Sequence, residues 1–303
     1  MKVEAIHKSN PRALSRDKVL DYFSLTKPTI TLLVAVTVIP SLLLAAGGLP
    51  NLFKSIVAIL GASLASASAA VFNQVVETDI DVQMHRTKRR SLASGRITRE
   101  SATIFGLILG FLGIGMLYAY ASPIAALTAL SGHLFYVLIY TLYLKKRTDQ
   151  NIVIGGAAGA VGPLIGWAAI TGSLSWPAWV LFAVIFLWTP PHFWALALKY
   201  KEDYAQAGIP MYPVIHGEHK TRLVMFLYTL TLIPCVASLF VFKQAGIAYF
   251  ILSMGLTLKF AFDAYQLYSS ASNERAMPFF HYSCLYVFGV FGALTLDRFI
   301  YLF

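Results

Sequence analysis

Nine stretches of this chain are each long and apolar enough to cross a bilayer, and nothing else in the sequence restricts the fold so strongly. They run over roughly 29–47, 52–76, 101–120, 122–143, 151–171, 176–198, 222–242, 246–268 and 279–302. A hydrocarbon core about 30 Å thick takes roughly 20 apolar residues of helix to span. Inside it every backbone N–H and C=O must be satisfied within the protein, so runs of this length are helices. Gly47-Gly48-Leu49-Pro50 and Ala121-Ser122-Pro123 divide what would otherwise be overlong runs. With 57% hydrophobic and 13% charged residues, the 303-residue chain could not cover a soluble core with polar surface. The expected fold class is all-α, a polytopic membrane protein of about nine transmembrane helices. Residues 1–28 form a cytoplasmic leader and 29–303 a single transmembrane domain.

The basic residues orient these spans. Of the 24 Lys and Arg residues, 20 fall in the leader and in the loops after spans two, four, six and eight. The opposite side keeps only Lys54 and Lys243, with Arg298 near the C-terminal end and Lys259 inside span eight. The positive-inside rule then puts the N-terminus in the cytoplasm and the C-terminus outside. The net charge of +10 is therefore a matter of membrane topology, and no nucleic-acid partner is expected. Cys235 and Cys284 stand apart in apolar segments and suggest neither a disulfide framework nor a cysteine metal site. The leader lacks the apolar core of a secretory signal, and Glu4, Asp17 and Asp21 argue against a transit peptide, which favours a bacterial inner membrane. Within it, Leu14, Val19, Leu20, Phe23 and Leu25 alternate with Arg16, Asp17, Lys18 and Asp21, a pattern that suits a short interfacial helix or a plain polar leader.

Chemistry concentrates where span two ends. Asn73, Glu77 and Asp81 recur every fourth residue. On an α-helix each such step drifts by only about 40°, so the three side chains share one face. Arg86, Lys88, Arg89 and Arg90 follow directly. Mg²⁺ takes one or two carboxylates together with phosphate oxygens, and guanidinium groups pair with the oxygens that remain. A magnesium-bound phosphate at the cytoplasmic membrane face is the expectation, because carboxylates at the end of an apolar helix are expensive to keep. Asp79 lies off that face and reads as solvated or supporting. The run Gly61 to Ala70, made almost wholly of Gly, Ala and Ser, reads as a seam for close helix packing.

A second polar cluster, Lys199-Tyr-Lys201-Glu202-Asp203-Tyr204, caps span six on the same side. Two such sites four helices apart suggest a duplicated four-helix unit whose equivalent loops face each other. Just before the second lies Trp188-Thr-Pro190-Pro191-His192-Phe193-Trp194, where paired prolines are expected to disturb the helix. His192, flanked by tryptophans, is a candidate contact for a large flat aromatic substrate. His133 reads as a helix–helix hydrogen-bonding residue, and His216 and His219 as solvated loop residues.

Four strings carry a resemblance: Asn73 to Leu92, Asn151-Ile-Val-Ile-Gly-Gly-Ala-Ala-Gly-Ala, Trp188-Thr-Pro-Pro-His-Phe-Trp-Ala-Leu-Ala-Leu, and Asp203-Tyr-Ala-Gln-Ala-Gly-Ile-Pro-Met. Together they resemble the protohaem IX farnesyltransferases, or haem O synthases, within the wider group of intramembrane aromatic prenyltransferases, over nearly the whole chain from Asp21. The resemblance implies transfer of farnesyl from farnesyl diphosphate to a vinyl group of haem b, giving haem O and diphosphate, with Mg²⁺ as cofactor. Implied partners beyond the substrates and the bilayer are haem A synthase or terminal-oxidase assembly.

On that resemblance Asn73, Glu77, Asp81 and Asp203 hold the metal, and Asp81, Asp203, Lys199 and Tyr204 are the catalytic group. Arg86, Arg90, Lys145, Lys201 and His192 bind substrate, while Tyr136 and Tyr140 join Tyr204 in shielding an allylic cation. Two departures stand out. The second motif lacks a pair of aspartates, and Ser91 stands where the pattern has proline, which would alter a turn. Two alternatives stay open: a related prenyltransferase acting on a quinone precursor, and a secondary transporter. Transporters place their carboxylates near the bilayer midplane and not at one face beside arginines.

Overall fold

The structure, a computed structural model, describes residues 11–270 and 272–300. Expectations that fall on leader residues 1–10, and on residues 301–302 of the last span, lie outside the described residues. Helix α1 covers Pro11–Leu25, α2 Pro28–Ala46, α3 Leu52–Gln83, α4 Arg99–Tyr120 and α5 Pro123–Leu134, which continues as a π-helix over Phe135–Leu144. Helices α6 (Asn151–Gly159) and α7 (Gly162–Thr171) follow, then α8 (Trp176–Lys199), the short α9 (Lys201–Gln206) and α10 (Tyr212–His216), α11 (Glu218–Val241), α12 (Ile247–Ser269) and α13 (Ala276–Ile300). Among the described residues there is no strand, and nine helical spans are long and apolar enough to cross a membrane. Helix α5 with its π-helical continuation makes one span, as do α6 and α7 together.

Local chemistry explains where several spans begin. The Asn51, Thr98 and Ser122 side chains accept hydrogen bonds from the backbone N–H groups of Lys54, Ser101 and Ala125, and Pro123 fits the first turn of α5. Helix α2 packs against α3, α7 and α13, while α13 also packs on α8 and α12, so the last span closes back on the first. The Gly/Ala/Ser seam of α3 lies against α4. A Cβ on Gly61 would stand 2.9 Å from the Gly113 carbonyl, and one on Gly113 2.7 Å from the Gly61 carbonyl. Ser68 donates to the Gly106 carbonyl across the same seam, at 2.7 Å. The expected close approach of small residues is what the helices make.

Three features differ from expectation. Helix α3 runs on to Gln83, past the expected end near residue 76, so the whole acidic row stands on one unbroken helix. Pro190 and Pro191 lie inside a continuous α8 and do not end it. Packing holds that stretch: both prolines are buried, as are Trp188 and Trp194 on either side. Conversely, the span over 151–171 is two helices, which part at Ala160-Val161 ahead of Gly162-Pro163.

Candidate active site

Asn73, Glu77 and Asp81 are all buried on one face of α3, at 2%, 3% and 3% exposure. Each meets a cation or its equivalent from another element. Lys27 Nζ donates to Asn73 Oδ1 at 2.6 Å. Lys145, just beyond the π-helix, donates to Glu77 at 2.5 Å. Arg90 places one guanidinium nitrogen 2.9 and 2.8 Å from the two Asp81 oxygens. Arg86 lies within hydrogen-bonding reach of Tyr204 on α9, so the loop after α3 meets the loop region after α8, as the spacing of the two clusters suggested. Four cations thus gather over two carboxylates, an excess of positive charge in which Lys27, Arg90 and Lys145 are half-buried and Arg86 is exposed.

The π-helix contributes from the other side. Asn73 Nδ2 donates to Thr141 Oγ1 at 3.2 Å, and Thr141 Oγ1 donates to the Tyr136 carbonyl at 2.8 Å. One extra residue per turn brings Tyr136, Tyr140 and Thr141 toward α3, the kind of use to which π-segments are commonly put. Tyr140 is buried and tilts against Tyr136 with ring centroids 5.3 Å apart. Gly155 makes room for it: any Cβ there would collide with the Tyr140 ring. Gly156 likewise faces Thr189 of α8, where a Cβ would stand 3.1 Å from the Thr189 methyl. The double glycine of the Asn151 string is therefore a seat for the π-helix. Asn151 itself, fully buried, donates to the carbonyls of Thr148 at 2.7 Å and Pro210 at 3.4 Å. It ties the second and fourth strings together.

Lys27 was visible in the sequence only as one more basic residue. It adopts a left-handed backbone, φ 47° and ψ 68°, at the start of α2 ahead of Pro28, a conformation uncommon outside glycine and frequent at functional sites. Burial, with the Arg90 charge, pulls its ammonium down from the usual 10.5 to about 7; Glu77 and Asp81 offset part of this and Lys145 adds to it. Asp21, Ser91 and Arg96 form a further group that the motifs did not flag. Ser91 Oγ donates to Asp21 at 2.7 Å and Arg96 Nε donates to the same carboxylate at 2.9 Å. Burial alone would lift the Asp21 carboxyl, and these two hydrogen bonds hold it below the usual range.

The remaining expected residues fall elsewhere. Lys199 is exposed, Lys201 pairs with Glu218 at 3.3 Å, and Asp203 is half-buried. Among the described residues none of the three makes a hydrogen bond or ion pair with the acidic row. Asp79 is exposed and pairs with Arg99. Lys88 and Arg89 are exposed. His216 is not a solvated loop residue: it is half-buried at the end of α10, bonded to Asp149 and tilted over Tyr212 at 4.3 Å.

No group of three or more His, Cys, Asp or Glu side chains gathers as a metal cage among the described residues. The acidic row still suits Mg²⁺, because Asn73, Glu77 and Asp81 offer only hard oxygens. Two carboxylates are what this ion takes when phosphate and water complete its octahedron. Beside the row opens an apolar cavity, about 1180 Å³ with the open solvent at its mouth included, with Lys27, Tyr136 and Tyr140 in its wall. Its apolar lining includes Ile30, Leu33, Ile152, Trp188 and Phe193, and both His133 and His192 face it. The arrangement can hold a phosphate anion at the membrane face and a long apolar body beneath it.

Comparison with known proteins agrees with that geometry. A model of the UbiA prenyltransferase family matches residues 34–285. The chain is 44% identical to the protoheme IX farnesyltransferase of Gloeobacter violaceus over 93% of each chain. It is also 44% identical to that of Picosynechococcus, over 91% of this chain and 88% of the relative. Among solved structures, a digeranylgeranylglyceryl phosphate synthase superposes with a TM-score of 0.78 at 20% identity, covering 93% of this chain and 99% of the other. A UbiA homologue from Archaeoglobus fulgidus bound to GPP and Mg²⁺ does so at 0.65 and 16%, covering 90% and 99%. At those identities the structures speak for the fold alone.

Proposed function

The chain belongs to the UbiA prenyltransferase family, and from that premise we propose that it transfers the farnesyl group of farnesyl diphosphate to a vinyl group of haem b, giving haem O and diphosphate. The observation that carries this reading is the cation-ringed acidic row beside an apolar cavity that Lys27, Tyr136 and Tyr140 line. It is supported by the protoheme IX farnesyltransferase relatives, matched along almost their whole length. The proposed setting is a bacterial inner membrane with the site toward the cytoplasm, on the strength of the basic-residue asymmetry. Haem A synthase or terminal-oxidase assembly would receive the product.

In this mechanism Asn73, Glu77 and Asp81 would hold Mg²⁺, and Asp203 on the facing helix α9, which bonds to none of them, would act on the ion from further out. Bound there, the ion would neutralise charge on the departing diphosphate. Lys27, Lys145, Arg86 and Arg90 stabilise the same anion in a site that excludes water, usually a large share of catalysis. Lys199 and Lys201 add positive potential from the facing rim. The bond between farnesyl C1 and the diphosphate oxygen breaks, leaving an allylic cation under the ring faces of Tyr136, Tyr140 and Tyr204. The haem vinyl group forms a new carbon–carbon bond to C1. Water then adds to the resulting haem-side cation and loses a proton, which gives the hydroxyethylfarnesyl group.

The test is an assay of purified protein with haem b, farnesyl diphosphate and Mg²⁺, comparing wild type with Asp81→Ala. The expected result is farnesylated haem from wild type and loss of it in the variant. Magnesium-dependent diphosphate release with no farnesylated haem would overturn the choice of acceptor.

A further inference from the structure

His192 lines the cavity, on α8 one turn beyond Trp188. Its ring is clamped between two aromatic faces, Trp188 at 4.2 Å and Phe280 of α13 at 4.6 Å, both stacked. Its Nδ1 stands 2.6 Å from the hydroxyl of Ser283, a fully buried residue. That hydroxyl has one proton and donates it to the Phe280 carbonyl at 2.6 Å. With the hydroxyl proton on that carbonyl, Ser283 accepts from His192, an assignment that puts the imidazole proton on Nδ1 and leaves a lone pair on Nε2. Trp188 Nε1, donating to the Ser283 carbonyl at 2.8 Å, locks α8 and α13 together at this point. Nε2 makes no hydrogen bond to protein among the described residues.

A neutral imidazole of fixed tautomer, prevented from turning and open at one nitrogen to an apolar cavity, is the arrangement that ligates a metal. Such ligands usually have their other nitrogen oriented by a second group in this way. Resting on the reading of haem b as acceptor, we infer that His192 Nε2 is an axial ligand of the substrate's iron, and that Ser283 is the positioning residue that fixes its tautomer. Ligation would hold the macrocycle by its centre against the α8 wall of the cavity. The vinyl group at its rim would then face the end of the cavity marked by Lys27. His133 lines the same cavity but is held less firmly, by a 3.3 Å contact from Nδ1 to the Ala65 carbonyl.

The experiment is haem b titration into purified full-length protein without farnesyl diphosphate, so that no turnover occurs. Affinity and the optical and resonance Raman signatures of iron–histidine bonding are read together. The expected result is histidine-ligated haem in wild type and in His133→Ala. In His192→Ala affinity falls at least about tenfold and the iron–histidine signal is lost. His192→Gly regains affinity on addition of imidazole. Ser283→Ala keeps the ligand but shifts the iron–histidine stretch and weakens binding about 10-fold, the usual size for an orienting partner. If His192→Ala does not fold, the Ser283→Ala shift decides in its place. Haem that binds wild type without a histidine signal, or keeps that signal in His192→Ala, overturns the ligand assignment and leaves the acceptor reading standing. A folded wild type that binds no haem overturns both.

Discussion

The two polar motifs on the cytoplasmic side look alike as letters and behave differently as structure. In both, charged residues recur at a spacing of four, Glu77 to Asp81 in one and Lys199 to Asp203 in the other. The first pair sits on one unbroken helix and is buried and ion-paired. The second straddles a boundary: Tyr200, with φ −110° and ψ 30°, ends α8 and precedes α9. The common face that a four-residue step would give is lost there, and Lys201 turns to Glu218 instead. Spacing predicts a shared face only while the helix continues, and continuity is decided by what the helix packs against.

The sharpest test of that difference is to remove one carboxylate from each motif. Asp81→Ala leaves Arg90 unpaired and strips a donor from the acidic row. A loss of about 10²–10³-fold in kcat is expected, the size seen when one preorganised electrostatic group is removed. Asp203→Ala is expected to cost about tenfold or less, since Asp203 touches none of the row. Steady-state kinetics on both variants checks this. Equal losses would mean that Asp203 acts on the row as directly as Asp81 does during turnover, and that the two motifs do not differ in function.

A second test asks how closely the π-helix is fitted to its neighbours. Gly155→Ala forces a methyl into the Tyr140 ring, whereas Gly156→Ala meets the Thr189 side chain, its methyl at 3.1 Å and its Cβ at 3.2 Å. Overpacking of the first kind costs about 1–3 kcal/mol. The expected outcome is a clear fall in thermal stability with about tenfold lower turnover for Gly155→Ala, against small changes for Gly156→Ala. Thermal unfolding and initial rates of the two variants decide it.

Lys27 offers a pH test. Its ammonium is held down to about 7 in the free protein. Because the folded value lies below the ordinary one, the unfolded chain binds more protons above pH 7. The unfavourable contribution of Lys27 to stability is therefore complete below about 7 and is relieved as pH rises toward the unfolded value. A diphosphate restores the charge, so binding must take up a proton above pH 7 and weaken as pH rises. Calorimetric titration of Mg²⁺-diphosphate at pH 8, in buffers of different ionisation enthalpy, should show uptake of a fraction of a proton that disappears in Lys27→Met. Absence of uptake in wild type would falsify the assignment of Lys27 to the anion site.

These cases also mark what could be read from the letters. The nine spans and the buried face of Asn73, Glu77 and Asp81 are local consequences of hydropathy and helical period, and both were legible. The partnership of Lys27 with Asn73 was not. It joins residues 46 positions apart through a left-handed backbone that no local pattern announces. The π-helix was hidden because its composition suits an α-helix equally well. Pro190-Pro191 misled in the opposite direction, since buried packing on both sides carried α8 through them. Gly155-Gly156 was legible as part of a family string, yet its reason, the Tyr140 ring, is a tertiary fact.

The smallest expected effect concerns Ser91, which stands where the resemblance read from the sequence expects proline. Its hydroxyl donates to Asp21 at 2.7 Å and meets Ser24 Oγ at 3.0 Å, tying α1 to the loop after α3. Its own backbone N–H donates no backbone hydrogen bond among the described residues. Replacing it with the proline of the pattern therefore removes side-chain ties and no backbone one. Arg96 still holds Asp21 at 2.9 Å, and Gln74 still donates to the Leu25 carbonyl at 2.7 Å, so α1 keeps two other attachments. Ser91→Pro should cost about 1 kcal/mol, one hydrogen bond's net worth, and leave kcat within about threefold. Thermal unfolding and initial rates of Ser91→Pro beside Asp21→Ala would measure it. Asp21→Ala should cost more, because it frees Ser91 and Arg96 at once. The reverse order would mean that the Ser91 turn, and not the carboxylate it meets, sets the position of the loop carrying Arg86 and Arg90.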